Sequence, residues 1–499
     1  MTPITIAVIT DIHHAAAPTA ERPHADMGLA LLRRAVHRLH RLIKPDAVAI
    51  LGDVLHEPAE TETDALLTEV KAALEPLACP VIVLPGNHDP DPERFYRVLP
   101  RPPEWLDVGP VRLVPFIDPP EPEYNARRRP EDLDRMLRAR QGHAGPLVML
   151  QHVPVLPPGR TECPYTYTNL ADVLDRVRRA GVTACVGGHF HRGTPPVVDG
   201  GCTYVCAHAT RRDPYPITLL RIDGDHVDVT ASPLASPREL GLVDCHSHTQ
   251  FSYCGINVTM TNTPRMAAMM GLAGLAFTEH TGQLYFDRDT FWKGAFCPDG
   301  IDGAKEQDSR MAAYWAAAEE AREAVRAAGL PLELRVGLEA DADFLGRAVV
   351  RPEDRRRAEI LLGVVHYLPE MANPQPDLAR ARDEFLAVVE GLCRDGIQIL
   401  GHPTRIFRKH KDLPIVPLYR DVVALLRRYG VAAEINCHHQ DPDPRFIRMC
   451  LDAGVRLSFG SDAHDVAVVG EFAMHLAALR AAGYDGEVGD VLFRPEPQP

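Results

Sequence analysis

Two separate α/β domains are what this sequence predicts, and three observations carry the expectation. The chain has 499 residues, whereas a single hydrophobic core stops growing near ~250–300. Short apolar runs alternate with amphipathic helical periods up to about residue 230, and the same alternation then restarts. Between the two stretches lies Ala231-Ser232-Pro233-Leu234-Ala235-Ser236-Pro237, a linker by composition. The expected domains are therefore 1–235 and 241–499.

In the first stretch, Ile4–Ile9 reads as a strand, and Leu29, Leu32, Val36, Leu39 and Ile43 recur at the three- and four-residue spacing of a helix. Ala47–Leu51, Val81–Leu84, Leu147–Leu150 and 183–186 are further strands. Apolar runs at 217–222 and 226–229 flank Asp223-Gly224-Asp225 and predict a hairpin. The proline-rich stretch 100–130, with Arg127-Arg128-Arg129, reads as a surface excursion. In the second stretch, strands are expected at 242–243, 275–277, 334–338, 360–365, 397–400, 432–435 and 456–459. Helical periods at about 261–272, 310–328, 378–394, 417–429 and 443–453 separate them. Repeated βα units favour parallel strands with covering helices, in a closed or doubly wound sheet.

Composition excludes several classes. With 45% hydrophobic and 24% charged residues the chain is neither disordered nor fibrous. Lys plus Arg number 54 against 68 Asp plus Glu, a formal charge of −14 that repels nucleic acid and anionic membranes. No apolar run approaches the ~18–20 residues that span a bilayer, and no basic N-terminal region suggests a signal peptide. Eleven scattered cysteines without a CxxC pair suit reduced thiols and a cytoplasmic location.

Histidine carries the chemistry: many of the 23 fall in short polar motifs directly after strands. In the first half these are Asp11-Ile12-His13, Gly52-Asp53, Gly86-Asn87-His88-Asp89, Gln151-His152 and Gly187-Gly188-His189-Phe190-His191. Residues i and i+2 at a strand end project to the same side, so Asp-x-His and His-x-His make metal pincers. Mixed carboxylate, imidazole and amide donors suit Mn, Fe or Zn. The five blocks, in this order, resemble the calcineurin-like metallophosphoesterase family. That resemblance implies an αββα sandwich holding two metals. Asp11, His13 and His191 would bind one, Asn87, His152 and His189 the other, with Asp53 bridging. His88 would protonate the leaving alkoxide and Asp89 would orient it, while the metal pair clamps the phosphoryl group and activates a water. His14 and His56 adjoin these motifs and face substrate at most.

The second half repeats the logic with Asp244-Cys245-His246-Ser247-His248, Thr278-Glu279-His280, Gly337-Leu338-Glu339, Val365-His366, Gly401-His402-Pro403 and Gly460-Ser461-Asp462-Ala463-His464. Each follows an apolar strand, so the side chains converge on the carboxyl end of a barrel, where barrel enzymes place their chemistry. Together they resemble the PHP (polymerase and histidinol phosphatase) family, which implies a distorted (β/α)7 barrel with two or three metals of the Zn, Fe or Mn class. His246, His248, Glu339 and Asp462 would bind the first, with Glu339 bridging to a second completed by His366 and His402. His280 and His464 would hold the third. Cys254 stands where one common family pattern has another histidine, and a thiolate there favours Zn or Fe(II) over Mn.

The long insert 283–310, with Phe291, Trp292 and Lys293, reads as a lid that stacks on an organic group with Lys293 near phosphate. Arg405 and Arg408, just past Gly401-His402-Pro403, are further phosphate grips. The resulting expectation is a bifunctional metal-dependent phosphoesterase acting on small molecules (nucleotides, cyclic nucleotides, sugar phosphates or histidinol phosphate). It needs no membrane and no nucleic-acid partner, and the sequence leaves its oligomeric state open. The alternatives are a metal-dependent nuclease, or one catalytic domain joined to a non-catalytic binding domain.

Overall fold

The computed structural model describes residues 2–18, 24–410, 412–438 and 442–495. The chain divides into two units, Met1–Ala235 and Ser236–Pro499.

In the first unit, Ile4–Ile9 is flanked by Ala47–Leu51 in parallel and Pro216–Asp223 in antiparallel register. Val81–Leu84 and His226–Pro233 extend this sheet to five strands. A second sheet runs in the order Val197–Asp199, Cys202–Cys206, Ala184–Gly187, Leu147–Leu150, Val111–Pro115, Leu106–Val108. Its four central strands are parallel, so their carboxyl ends all open on one side. Ile6, Val8, Leu51 and Leu84 of the first sheet form one core with Val148, Leu150, Val186 and Val205 of the second. Met136 and Val177, on helices Pro130–Arg140 and Leu170–Ala180, pack with Met149 and Cys185 of the second sheet. Helices Gly28–Arg38 and Thr63–Leu74 bury Leu32, Val36, Leu67 and Val70. The layers are α, β, β, α, as the motifs implied.

The stretch 100–130 is not a surface excursion. It supplies the edge hairpin Leu106–Val108/Val111–Pro115 of the second sheet, whose strands are too short, between prolines, to show a clear period. Arg128 is fully buried. Its guanidinium donates to Asp118 at 2.8 and 3.1 Å and to Gln151 Oε1 at 3.2 Å, and lies 3.7 Å over the Phe116 ring. A charge run reads as solvated in a sequence because its partner, ten residues away, becomes adjacent only in the fold.

In the second unit seven strands follow one another in chain order, all parallel: Val243–Ser247, Gly274–His280, Glu333–Asp341, Leu361–Val364, Ile399–Leu400, Ala432–Asn436 and Leu457–Gly460. The sheet curls nearly shut. Ser247 bridges Ala463, Asp462 N donates to His246 O at 2.8 Å, and the buried Asp244 carboxylate accepts from Ser461 N, Ser461 Oγ and Gly470 N at 3.0, 2.6 and 2.9 Å. A register shift between Asp244 and Ser247 distorts this (β/α)7 barrel. Ala276, Leu362, Val364, Ile399 and Ala432 form a buried apolar cluster, while polar side chains take over towards the carboxyl ends. The insert 283–310 is anchored by its aromatic rings. Tyr285, Phe286, Phe291 and Phe296 are buried, with Phe286 stacked on Phe296 at 5.1 Å.

Candidate metal centres

The first centre gathers at the carboxyl ends of strands from both sheets of the first unit. The strands end in left-handed turns: Asp11, His13, Asp53 and His189 have φ of 54°, 51°, 49° and 68°. Such conformations cost a non-glycine residue about 1–3 kcal/mol and persist where the surroundings over-determine them. Gly52, at φ 87°, allows the close approach of His152, since a Cβ there would collide with the imidazole. Asp53 lies between two imidazoles, 3.5 Å from His13 Nε2 and 3.5 Å from His152 Nε2. On one side His191 Nε2 stands 3.1 Å from His13 Nε2 and 3.3 Å from Asp11 Oδ1. On the other, His152 Nε2 is 3.1 Å from both His189 Nδ1 and Asn87 Oδ1. His152 Nδ1 is tied to the Leu51 carbonyl at 2.6 Å, which leaves Nε2 facing the centre.

This donor set fits metal ions. Ring nitrogens converging on one another and on carboxylates suit a shared cation, and the buried Asp11 Oδ1 carries no hydrogen bond. Asp11, His13, Asp53 and His191 form one group able to hold an ion, and Asp53, His152 and His189 another. Burial works against ionisation of Asp53, but His152 and His13 outweigh it and hold the carboxyl far below its usual range. For His152, burial is likewise overcome, by Asp53 and then Asp11, and its pKa is pushed up to about 10.

Asp89 is placed differently from the expectation that it orients His88. Its carboxylate accepts from Leu55 N, Gly86 N and Val54 N at 2.7, 2.8 and 3.1 Å, so it braces the Gly52-Asp53 and Gly86-Asn87 turns. Burial and the nearby Asp53 charge push it up to about 7. The carboxylate beside His88 is Glu57, with Oε1 2.9 Å from Nδ1. His56 joins the rim, its ring 5.5 Å from His13 and 5.4 Å from His88. His14 turns away to Glu69, at 3.4 Å.

The second centre sits at the carboxyl end of the barrel. His402 and Asp462 again occupy the left-handed region, at φ 28° and 52°. Glu339 is shared: its carboxylate lies 3.1 Å from His402 Nε2, 3.5 Å from His246 Nε2 and 3.8 Å from both His248 Nε2 and His366 Nε2, and it contacts His280 Nδ1. Asp462 Oδ1 lies 3.0 Å from His248 Nε2. A carboxylate stands behind three of these imidazoles: Glu434 on His246 at 2.7 Å, Glu279 on His248 at 3.0 Å and Asp341 on His366 at 2.7 Å. Each sets the tautomer that turns the other nitrogen inward. Glu434 and Asp341 escaped the sequence reading; the signal for Glu434 was a buried carboxylate in the short strand Ala432–Asn436, and Asp341 stands two residues after Glu339 on the same strand. The donors again fit metal ions, because the buried His246 Nε2 has no hydrogen-bond partner and the Glu339 carboxylate is ringed by imidazoles.

Cys254 approaches the remaining histidines, its Sγ 3.0 Å from His464 Nε2 and 3.8 Å from His280 Nε2. Arg405 reaches the centre, Nη1 being 3.4 Å from His402 Nε2 and 3.5 Å from His366 Nε2. Arg405 and Arg408 line a cleft of about 560 Å³ together with Phe291, Trp292 and Lys409. Lys293 does not line it. Its ammonium is exposed and paired with Asp289 at 3.0 Å, one helical turn back.

Two arrays of inward-facing imidazoles and carboxylates, each beside an open cleft, define a hydrolase that uses divalent metals. Residues 4–193 match the family model for calcineurin-like phosphoesterase and residues 244–438 that for the PHP domain. The chain thus joins two families of metal-dependent phosphoesterases and is a phosphoric ester hydrolase. No curated protein sequence matches it. Among solved structures, it is similar to a dimetal phosphatase from Danio rerio, at 16% identity and TM-score 0.39 over 46% of this chain and 96% of that one. A histidinol phosphate phosphatase from Lactococcus lactis, complexed with zinc, L-histidinol and phosphate, matches at 17% identity and TM-score 0.35 over 49% of this chain and 94% of that one. Among the described residues no helix is long and apolar enough to cross a membrane.

Proposed function

We propose that the chain hydrolyses small-molecule phosphoesters in the cytoplasm at two separate sites, one in 1–235 and one in 241–499. The observation that supports this most strongly is the pair of shared carboxylates: Asp53 between His13 and His152, and Glu339 among His246, His366 and His402. In the first site Asp11, His13 and His191 hold one divalent metal, Asn87, His152 and His189 a second, with Asp53 common to both. In the second, His246, His248 and Asp462 serve one metal and His366 and His402 another, with Glu339 common. When bound, such metals supply Lewis acidity that neutralises the phosphoryl oxygens and activates a water for in-line attack.

The chain's own residues do the rest. Glu57 at His88 Nδ1 leaves Nε2 to deliver a proton to the departing oxygen. In the second site the Arg405 guanidinium, between His366 and His402, grips a phosphoryl oxygen. The two clefts, of about 650 and 560 Å³, have the size of small-molecule sites. With the net charge of −14, that favours small esters over nucleic acid.

The test is a panel of phosphomonoesters and phosphodiesters assayed with the wild-type chain, Asp53→Asn and Glu339→Gln, with metals counted by elemental analysis. Each variant is expected to lose a different subset of hydrolyses by on the order of 10³-fold. Identical losses in both variants would point to a single working site.

A further inference from the structure

At the mouth of the first site, Pro120–Glu121 pairs with Asn125–Ala126, and the turn between them is strained. Glu123 and Tyr124, consecutive and neither a glycine, both have φ of 61°. The loop is held from behind: Asn125 Oδ1 accepts from Thr166 N at 2.9 Å, Ala126 N donates to Thr166 O at 3.0 Å, and Thr168 N donates to Ala126 O at 2.9 Å. Strain maintained this way has its meaning in what it positions.

What it positions is an exposed ring. Tyr124 is 62% exposed, so no core packing accounts for its placement. Its ring lies 6.4 Å from that of Tyr165 at an interplanar angle of 81°. Both rings adjoin His189, Tyr124 at 6.4 Å and Tyr165 at 4.3 Å. The loop that carries Tyr124 therefore borders this proposed ligand. The Tyr124 ring lines the cleft and offers it a negative quadrupole face, with the Tyr165 ring set nearly at a right angle beside it. Glu57, Glu121, Glu123 and Tyr124 line the cleft beside Asn87 and His152, and its described lining contains no lysine or arginine. Carboxylates and ring faces attract a cation and repel a second anion.

We propose that this tyrosine corner binds an ammonium group, and that the first site therefore acts on the phosphoester of an amino alcohol, quaternary ammonium included. The proposal rests on the phosphoesterase reading of that site. In the reaction the oxygen of water bonds to phosphorus and the P–O bond to the amino alcohol breaks. The departing oxygen takes a proton, leaving phosphate and the free amino alcohol. A short spacer suffices between the two charges, because Tyr165 is in direct contact with His189.

The experiment compares phosphocholine with 3,3-dimethylbutyl phosphate, which has the same shape without the charge, using the metal-loaded full chain. The activity read is the portion lost in Asp53→Asn. We expect kcat/KM to favour phosphocholine by about tenfold or more, and this ratio to fall towards one in Tyr124→Leu and in Glu123→Gln. Equal kcat/KM for the two esters, or a preference unchanged in both variants, would overturn the ammonium corner. If p-nitrophenyl phosphate is cleaved by the same portion without such discrimination, the corner fails and the phosphoesterase reading stands. If none of the three esters is cleaved, that reading fails and the corner with it.

Discussion

The two centres solve one problem, aiming imidazoles at metals, with different supports. In the first unit a backbone group holds the central ring: the Leu51 carbonyl fixes His152. In the barrel, carboxylates do it, with Glu434, Glu279 and Asp341 behind His246, His248 and His366. A carbonyl orients without adding charge, whereas a buried carboxylate raises ligand basicity and adds negative potential. The barrel therefore concentrates five carboxylates, Glu279, Glu339, Asp341, Glu434 and Asp462, around one centre, against Asp11, Asp53, Asp89 and Glu57 around the first. The clefts differ in the opposite sense: carboxylates and a tyrosine line the first, while Arg405, Arg408 and Lys409 line the second. A centre rich in negative charge with a basic cleft suits substrates different from those of a sparser centre with an acidic cleft.

The largest expected effect breaks the first unit's scaffold without touching a proposed ligand. Arg128 links the cleft wall to the residue before His152, through Asp118 and Gln151. Arg128→Met leaves Asp118 buried and uncompensated, although Tyr167 still donates to it at 2.7 Å. Breaking such a pair costs about 3–5 kcal/mol, read as a fall in the urea midpoint of the first unit's transition. The double variant Arg128→Met/Asp118→Leu should recover much of that loss, because no charge then stays unpaired. A midpoint unmoved by the single change would mean that the pair contributes little, and that backbone bracing alone supports this site.

A smaller effect sharpens the comparison at the level of chemistry. His88→Ala should lower turnover of the first site by about 10²-fold or more while metal content stays near the wild-type value. Glu57→Gln should cost about tenfold or less, since it alters only the orientation and basicity of His88. Metal loss in His88→Ala would show that this imidazole is a ligand rather than a proton donor, making the first centre richer in imidazole than its shared carboxylate suggests.

How much of this was legible in the sequence depended on how locally each feature is determined. Motifs at strand ends, such as Asp11-Ile12-His13 and Gly460-Ser461-Asp462-Ala463-His464, place their side chains by strand geometry, so their convergence could be expected from order alone. The second sheet was only half visible: Cys202–Cys206 and Val111–Pro115 are short strands whose burial comes from neighbours distant in sequence. Supporting residues were the hardest to find. Glu434 and Asp341 carry no motif, and Glu57 takes the place beside His88 that sequence adjacency suggested for Asp89, from a backbone with a positive φ of 45° that residue order does not reveal. Lys293 is a related case: its ammonium pairs with Asp289, four residues back.

The smallest effect concerns the one sulfur donor in the comparison. Burial alone would raise the Cys254 pKa, but His280 and His464 more than offset it and bring the thiol down to about 4. Ser252 Oγ lies 3.0 Å from the sulfur, and Gln283 Nε2 donates to it at 3.5 Å. His464 Nδ1 is engaged by the Asp462 carbonyl at 2.8 Å, which leaves Nε2 facing the sulfur. A thiolate between two imidazoles would give the barrel a third, softer metal position, which the negative charge of that centre could support. Cobalt(II)-loaded protein should then show a sulfur-to-cobalt absorption band that disappears in Cys254→Ser, together with one metal equivalent, while first-site hydrolysis is unaffected. Iodoacetamide should label Cys254 slowly in the metal-loaded chain and faster after chelation. Cys254→His should keep the site and shift its preference from zinc or iron towards manganese. Equal labelling in both states, with the same metal count in Cys254→Ser, would instead make Cys254 a thiol that packs against the histidines and binds no metal.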